Sequence, residues 1–544
     1  MQLVVPMSGT SARFLAAGYK IPKPLISVCG HPIIGHVVDM FPGIDDILFI
    51  VNEDHLSDPS LRLEETLNEI CPLGTIVPIA PHRTGPAGAI WAARKYVRQD
   101  QPVIANYCDF TCLWNFADFT TALQASDGVI ATYTGFHPHM LRSTSFAYVA
   151  KDADGRVREI REKQSFIMDP MKEEASSGTY GFATGGVMLA AIEEQMARDI
   201  SLNGEFYLSL TYVPMIEKSL DIRTYSIDSF FQWGTPEDLA DFEYWDRVLR
   251  SLARFSQEIP KQLPGSSVLL AAGLGNRFSS RGYPLPKPLL DLSGRPSWLQ
   301  ALKPLRSRDQ EIVVLRRDLF GFDELMMQAQ QSGVELVVLD CATDGQAATA
   351  EAGLQAVRHT DMPVTIASCD AVCVRLTESI DGMLDNDLVV WTTEKYRPAQ
   401  INPAQFAWVR VVEDGSIVDF MMKEAPEGPD WRVVVGTFSF RSTEFALDVI
   451  RRMRERDIRT NGELYLDNAI GLLLAEGAQV VSYCPESFVG IGTPEEYESF
   501  RYWQRVFARW PHHPYKTYYD PLVSVSDRSK LEHSWKTPNN PPWV

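Results

Sequence analysis

Val268-Leu269-Leu270-Ala271-Ala272-Gly273-Leu274-Gly275-Asn276-Arg277-Phe278 runs on to Pro286-Lys287-Pro288. An apolar run of strand length stops at a glycine-rich turn, an arginine follows, and then comes a lysine between two prolines. Glycine at 273 and 275 lets the main chain turn sharply and bring its N–H groups up to an anion. The planar fork of Arg277 suits phosphate oxygens, and Lys287 adds a second positive charge. Pro286 and Pro288 hold the lysine's backbone extended, so its side chain is aimed with little entropy left to lose. This order of parts predicts a triphosphate site at the end of a first strand.

The same order stands at the start of the chain. Leu3-Val4-Val5-Pro6-Met7-Ser8-Gly9-Thr10-Ser11-Ala12-Arg13-Phe14 leads to Pro22-Lys23-Pro24. Arg277 follows Arg13 by 264 positions and Lys287 follows Lys23 by the same 264, so the chain carries an internal repeat. Gly9 and Ser11 match Gly273 and Gly275. The serine is a departure in the first copy.

The compound motif Gly-x-Gly-x-Arg-Phe followed by Pro-Lys-Pro resembles the sugar-phosphate nucleotidyltransferase (NDP-sugar pyrophosphorylase) superfamily, in two tandem copies reaching to about residue 505. Neither copy completes the dinucleotide-binding Gly-x-Gly-x-x-Gly fingerprint, and the lysine between prolines is foreign to it. The first copy is similar to members encoded with capsule and surface-polysaccharide genes. The resemblance implies a GT-A-like (Rossmann-like) α/β fold, Mg²⁺ as cofactor, an NTP and a phosphorylated sugar or polyol as substrates, and release of pyrophosphate. In those terms Arg13, Lys23, Arg277 and Lys287 would be catalytic, with Gly9, Ser11, Gly273 and Gly275 binding the nucleotide.

Bulk composition fits that reading. With 544 residues, 45% of them hydrophobic, the chain can bury at least two sizeable cores. A formal net charge of −19 argues against a nucleic-acid partner, which calls for basic surface. Met1 leads straight into a strand with no basic segment or long apolar run, so neither a signal peptide nor a membrane span is expected. Eight cysteines form no disulfide framework, and a reducing cytoplasm is the expected setting. Cys108 and Cys112 match Cys369 and Cys373, straddling one aspartate motif. We read them as small apolar residues at a strand end in preference to metal ligands.

Strands and helices alternate in both halves. Pro32 to Val38 reads as a helix start and Ile47–Val51 as a buried strand; Thr75–Ile79, with its internal proline, suits a sheet edge. His82-Arg83-Thr84-Gly85-Pro86-Ala87 opens a helix through Tyr96, and Thr343-Asp344-Gly345-Gln346-Ala347 one through Val357. In the family this small-residue turn lies beside the base, which assigns Gly85 and Gly345 to nucleotide binding. Alternation of this kind predicts a doubly wound, mostly parallel mixed sheet in each half. The expected organisation is domain 1 over 1–258, a Pro/Gly-punctuated linker at 259–265, domain 2 over 266–505, and a Pro- and aromatic-rich tail over 506–544 that wraps onto the other domain or mediates assembly. A homo-oligomer stays open.

Val103-Ile104-Ala105-Asn106-Tyr107-Cys108-Asp109-Phe110 reads as an apolar strand ending in an aspartate, matched by Val364-Thr365-Ile366-Ala367-Ser368-Cys369-Asp370-Ala371. A carboxylate at the carboxyl end of such a strand overhangs the ligand crevice and suits Mg²⁺, so Asp109 and Asp370 are the expected metal ligands. Glu162-Lys163 resembles the family's acceptor-phosphate element. In the second half Lys423 aligns, while Met422 replaces the glutamate. Asn203-Gly204-Glu205-Phe206-Tyr207-Leu208 recurs 258 positions later as Asn461-Gly462-Glu463-Leu464-Tyr465-Leu466, with Glu205 and Glu463 expected to accept hydrogen bonds from the acceptor. Many family members carry a second metal-binding aspartate two residues before the glycine of Gly-Thr-Pro. Here Gln232 and Gly490 stand there, so both halves depart at this position, the first half departing also at Ser11 and the second at Met422. Two rivals follow. One half is a nucleotide-binding module without turnover, or the fold serves a GT-A glycosyltransferase, which usually carries Asp-x-Asp where Tyr107-Cys108-Asp109-Phe110 stands.

Overall fold

The structure, a computed structural model, describes residues 1–254, 261–374, 380–536 and 540–543. They divide into two compact units, Met1–Phe242 and Glu243–Trp543, with the division inside the helix Pro236–Arg254. Of the expected linker, residues 259 and 260 lie outside the described residues.

Each unit is built on a nine-stranded mixed sheet with one strand order. In the first unit Thr75–Ile79, Ile47–Asn52, Gln2–Met7 and Val103–Asn106 lie side by side and run parallel. Glu174–Phe182 then pairs antiparallel with Val103–Asn106 and carries the sheet on to Gly128–Tyr133 and to the hairpin Ala147–Lys151 and Val157–Glu162. The second unit repeats the order with Glu335–Leu339, Glu311–Arg316, Ser266–Leu270 and Val364–Ser368 in parallel, followed by the antiparallel Trp431–Phe440. The parallel strands are continuous apolar runs because both of their faces are covered: Val4, Leu48, Ile50 and Val103 are fully buried, as are Val268, Ile312, Val314 and Val364. Thr75–Ile79 is the edge strand that its proline requires.

Three local expectations need correction. The helices expected to reach Tyr96 and Val357 span Gly85–Ala92, followed by a separate 3₁₀ turn at Arg94–Tyr96, and Gln346–Leu354. Asp109 and Asp370 are not the last residues of their strands, which end at Asn106 and Ser368. The aspartates occupy the turns that lead into the short strands Phe110–Leu113 and Ala371–Val374. The helix Pro494–Arg509 runs past residue 505, and the segment after it folds back on the second unit. Gln300 Nε2 donates to the carbonyl of Leu522 at 2.7 Å, Gln504 Nε2 to Asp520 Oδ2 at 2.8 Å, and Arg295 pairs with Asp527 at 2.9 Å. Among the described residues no helix is long and apolar enough to cross a membrane.

Candidate active sites of the two units

In each unit the parallel strand order changes direction between the first strand and the aspartate-bearing strand, which places the loops after them at the crevice where such sheets bind ligands. The loop Ser8–Ser11 follows one and Tyr107–Asp109 the other. Across that crevice Lys23 Nζ meets Asp109 Oδ2 at 2.7 Å, and in the second unit Lys287 Nζ meets Asp370 Oδ2 at 2.6 Å. Each side chain is held by a Pro-Lys-Pro corner whose lysine opens a 3₁₀ turn. Burial works against the charge on both lysines, yet the facing aspartate outweighs it and holds each above its ordinary value. Burial likewise works against ionisation of Asp370, and Lys287 overrides it and holds the carboxyl below its ordinary value.

The first-unit departure at Ser11 is accommodated locally. Ser11 takes the left-handed conformation, φ 55°, as Gly275 does at 66°. Its Oγ accepts the backbone N–H of Lys23 at 3.0 Å, tying the loop Ser8–Ser11 to the lysine corner. Gly9 and Gly273 differ from what the sequence suggests. Neither has positive φ, and an added Cβ would meet no protein atom within 4 Å. Gly85 and Gly345 do have positive φ, 78° and 112°. A Cβ there would lie 2.8 Å from the Phe206 nitrogen and 2.6 Å from the Leu464 nitrogen. The small-residue turn therefore seats the Gly-Glu element against itself: Phe206 N donates to Thr84 O and Ala87 N to Phe206 O, with Ala347 N to Leu464 O as counterpart.

Arg13 and Arg277 are exposed at the starts of short helices, and their charges reach Tyr207 and Tyr465 respectively. Those tyrosines escaped the sequence reading. Lys163 Nζ donates to Tyr207 Oη at 2.6 Å and lies 4.6 Å from the ring centroid; Lys423 stands 3.1 Å from Tyr465 Oη and 4.2 Å from its ring. Tyr207 in turn donates to Glu205 Oε2 at 2.7 Å. Both lysines adopt left-handed backbone, φ 57° and 56°, at the same point of the hairpin, a conformation that costs on the order of 1 kcal/mol and is over-determined by the surrounding fold. The signal was present, since the tyrosines recur in the ungapped 258-residue register. His82 was also missed. Its Nε2 lies 2.9 Å from Ser8 Oγ and its Nδ1 2.9 Å from Thr84 Oγ1, and burial lowers its pKa toward the neutral form.

The units part company at the position of the second expected metal ligand. In the first, Gln232 faces the aspartate: a Cβ on Gly234 would lie 2.6 Å from Gln232 Nε2 and 3.2 Å from Asp109 Oδ2. In the second, Gly490 is overlain by a tyrosine. A Cβ on Gly490 would lie 2.1 Å from Tyr396 Oη. Tyr396 donates to Glu496 Oε1 at 2.6 Å, while Glu496 Oε2 accepts the Thr493 N–H at 2.9 Å in a capping box. Burial and the neighbouring Glu496 push the Tyr396 phenol well up, so it stays protonated. A hard cation is suited by the carboxylate of Asp109 in the first unit and by that of Asp370 in the second. The cysteines stay thiols: burial pushes Cys108 up to about 12 and Cys369 up to about 11.

Residues 4–207 match the family model for nucleotidyl transferases, and residues 267–406 match that for the MobA-like NTP transferase domain. The chain carries two nucleotidyltransferase-family domains in tandem. Among curated relatives, the bifunctional protein GlmU of Shouchella clausii is 25% identical over 263 residues, covering 47% of this chain and 55% of that one. The UTP–glucose-1-phosphate uridylyltransferase of Komagataeibacter xylinus is 29% identical over 245 residues, covering 39% and 83%. This chain thus spans about half the length of the GlmU proteins that it matches. A solved nucleoside-diphosphate-sugar pyrophosphorylase from Vibrio cholerae is 22% identical, covers 44% of this chain and 98% of its own, and superposes with a TM-score of 0.37.

Proposed function

We propose that the protein is a Mg²⁺-dependent nucleotidyltransferase in which a phosphate oxygen of a phosphorylated sugar or polyol attacks the α-phosphorus of an NTP and pyrophosphate leaves. The single observation that carries the reading is the pair Lys23–Asp109 and its copy Lys287–Asp370 at the crevice beside a glycine-rich loop. Asp109 and Asp370 would hold the metal, which supplies charge neutralisation for the triphosphate. Little covalent chemistry is asked of the chain. Arg13 and Arg277 screen the departing pyrophosphate, Lys23 and Lys287 hold the α-phosphate, and Lys163 and Lys423 orient the acceptor phosphate. The attacking phosphate is already anionic, so no general base is needed. We place this activity in the cytoplasm and in the supply of surface-polysaccharide precursors.

A second reading, a nucleotide-binding second unit without turnover, is favoured by Tyr396 filling the space at Gly490. One experiment separates the two. Pyrophosphate release is measured with four NTPs and a panel of sugar and polyol phosphates on wild type, Asp109→Ala and Asp370→Ala. Loss of a different activity in each variant supports two working sites, whereas loss only in Asp109→Ala leaves the second unit a binding module. No pyrophosphate from any combination refutes the reaction.

A further inference from the structure

The two acceptor walls are not copies of each other. In the first unit Glu162 ends its strand opposite Ala147, and its Oε2 accepts from Ser209 Oγ at 2.6 Å. In the second unit Met422 occupies the same register, opposite Ala407, and packs against the apolar core. The residue that takes the place of Ser209, at the same 258-residue offset as Glu205 and Glu463, is Asp467. The acid has changed walls.

Its setting also differs. Asp467 immediately precedes the helix Asn468–Ala475, where an aspartate ordinarily caps the first turn. Its backbone is already helical, φ −54° and ψ −33°, and its side chain makes no capping hydrogen bond. Among the described residues no side-chain group hydrogen-bonds its carboxylate, whereas Glu162 is tied down by Ser209. The charges that act on Asp467 are those of Lys423 and Asp370, the second unit's acceptor lysine and metal carboxylate. The side chain thus leaves the first turn of its helix uncapped, and the charged groups within its electrostatic reach are Lys423 and Asp370.

We propose that Asp467 is a specificity-determining residue of the second site, accepting a hydrogen bond from a hydroxyl or ammonium group of the phosphorylated acceptor held by Lys423, so that the two units select different acceptors. The inference rests on the nucleotidyltransferase reading above. A site that hydrogen-bonds a substrate hydroxyl discriminates strongly against the analogue lacking it, because the buried acceptor is then left unpaired. In the first site Ser209 donates its proton to Glu162 and has only a neutral hydroxyl oxygen left to accept with, without the negative charge that Asp467 brings.

The test uses the full chain with the first site silenced by Asp109→Ala and Lys163→Ala. Glucose 1-phosphate, its 2-amino analogue and a series of its deoxy analogues are measured by calorimetry in the presence of NTP and Mg²⁺, and by pyrophosphate release where turnover occurs. Asp467→Ser installs the first unit's residue, and Asp467→Asn keeps the size should the serine variant fail to fold. The expected result is a loss of discrimination between the preferred acceptor and one deoxy or amino analogue of about tenfold or more, carried by KM and Kd with kcat little changed. An unchanged ranking in folded Asp467→Ser and Asp467→Asn overturns the inference while leaving the reaction intact. Failure of every acceptor to bind the silenced chain overturns it too, even where the first site turns over. Absence of pyrophosphate from both sites in the wild type refutes the reaction itself, a different outcome from either of these.

Discussion

The hydroxyl of Tyr396 stands in the volume that a side chain at Gly490 would enter, with an ideal Cβ there only 2.1 Å from the phenol oxygen. Tyr396 is 3% exposed, sits among Phe406 and Phe488, and donates to Glu496, so it has no easy retreat. Gly490→Ala is expected to destabilise the protein by roughly 1–3 kcal/mol through overpacking. Adding Tyr396→Phe, which removes the clashing oxygen, should recover part of that loss. Urea denaturation of the two variants checks this, and equal stability of Gly490→Ala and wild type would contradict the geometry.

Gly85 and Gly345 hold their turns against the backbone of Phe206 and Leu464, where neither neighbour can swing aside. Alanine at either position combines positive φ with a backbone clash, and a loss of about 2–4 kcal/mol is expected. Gly9→Ala is the contrasting case. No protein atom lies within reach of its Cβ, so stability should stay within about 0.5 kcal/mol of wild type. Nucleotide affinity measured by calorimetry should fall, because a methyl group there stands where phosphate approaches the loop. Unchanged affinity would remove Gly9 from the binding site.

Ser11 carries left-handed strain of about 1 kcal/mol and returns a hydrogen bond to the Lys23 N–H of similar size. Ser11→Gly removes both and should be near neutral. Ser11→Ala keeps the strain and loses the bond, and should cost about 1 kcal/mol. Thermal unfolding in which the two variants fall equally would show that Ser11 Oγ does not support the lysine corner.

Asp370 and Asp467 should shape the pH dependence of the second unit in opposite senses. Lys287 overrides burial and holds Asp370 below the ordinary carboxyl value of 3.8, so its stabilising contribution is present above that pH and fades as pH falls through the lower, folded-state value. Burial raises Asp467 to about 6, with Lys423 partly opposing. A raised carboxyl contributes stability below its unfolded value of 3.8 and loses it as pH rises through about 6. Asp467→Asn should therefore gain stability relative to wild type between pH 4 and pH 7.5, by roughly 2 kcal/mol. A pH-independent difference would mean that Asp467 is not held protonated by the fold.

Much of this protein is local information, and that part was legible in the sequence. Apolar runs bounded by glycine and proline mark the parallel strands, because a strand covered on both faces has only apolar neighbours to meet. The side-chain cap at Thr235, the capping box at Thr493 and the Pro-Lys-Pro corners are set within a few residues of themselves. The repeat then doubled each signal, so that Lys23 and Asp109, with Lys287 and Asp370, could be singled out separately. Their pairing belongs to tertiary structure. Lys23 and Asp109 are 86 residues apart, and only the adjacency of Gln2–Met7 and Val103–Asn106 in the sheet brings them together. The same holds for Tyr396, which lies 94 positions before Gly490 in the sequence and yet fills its side-chain space, and for Gly85, whose constraint is the backbone of Phe206. A sequence shows that a side chain is missing or replaced. Which group occupies the space left behind is decided by long-range packing, and it is there that the two halves of one repeat became different sites.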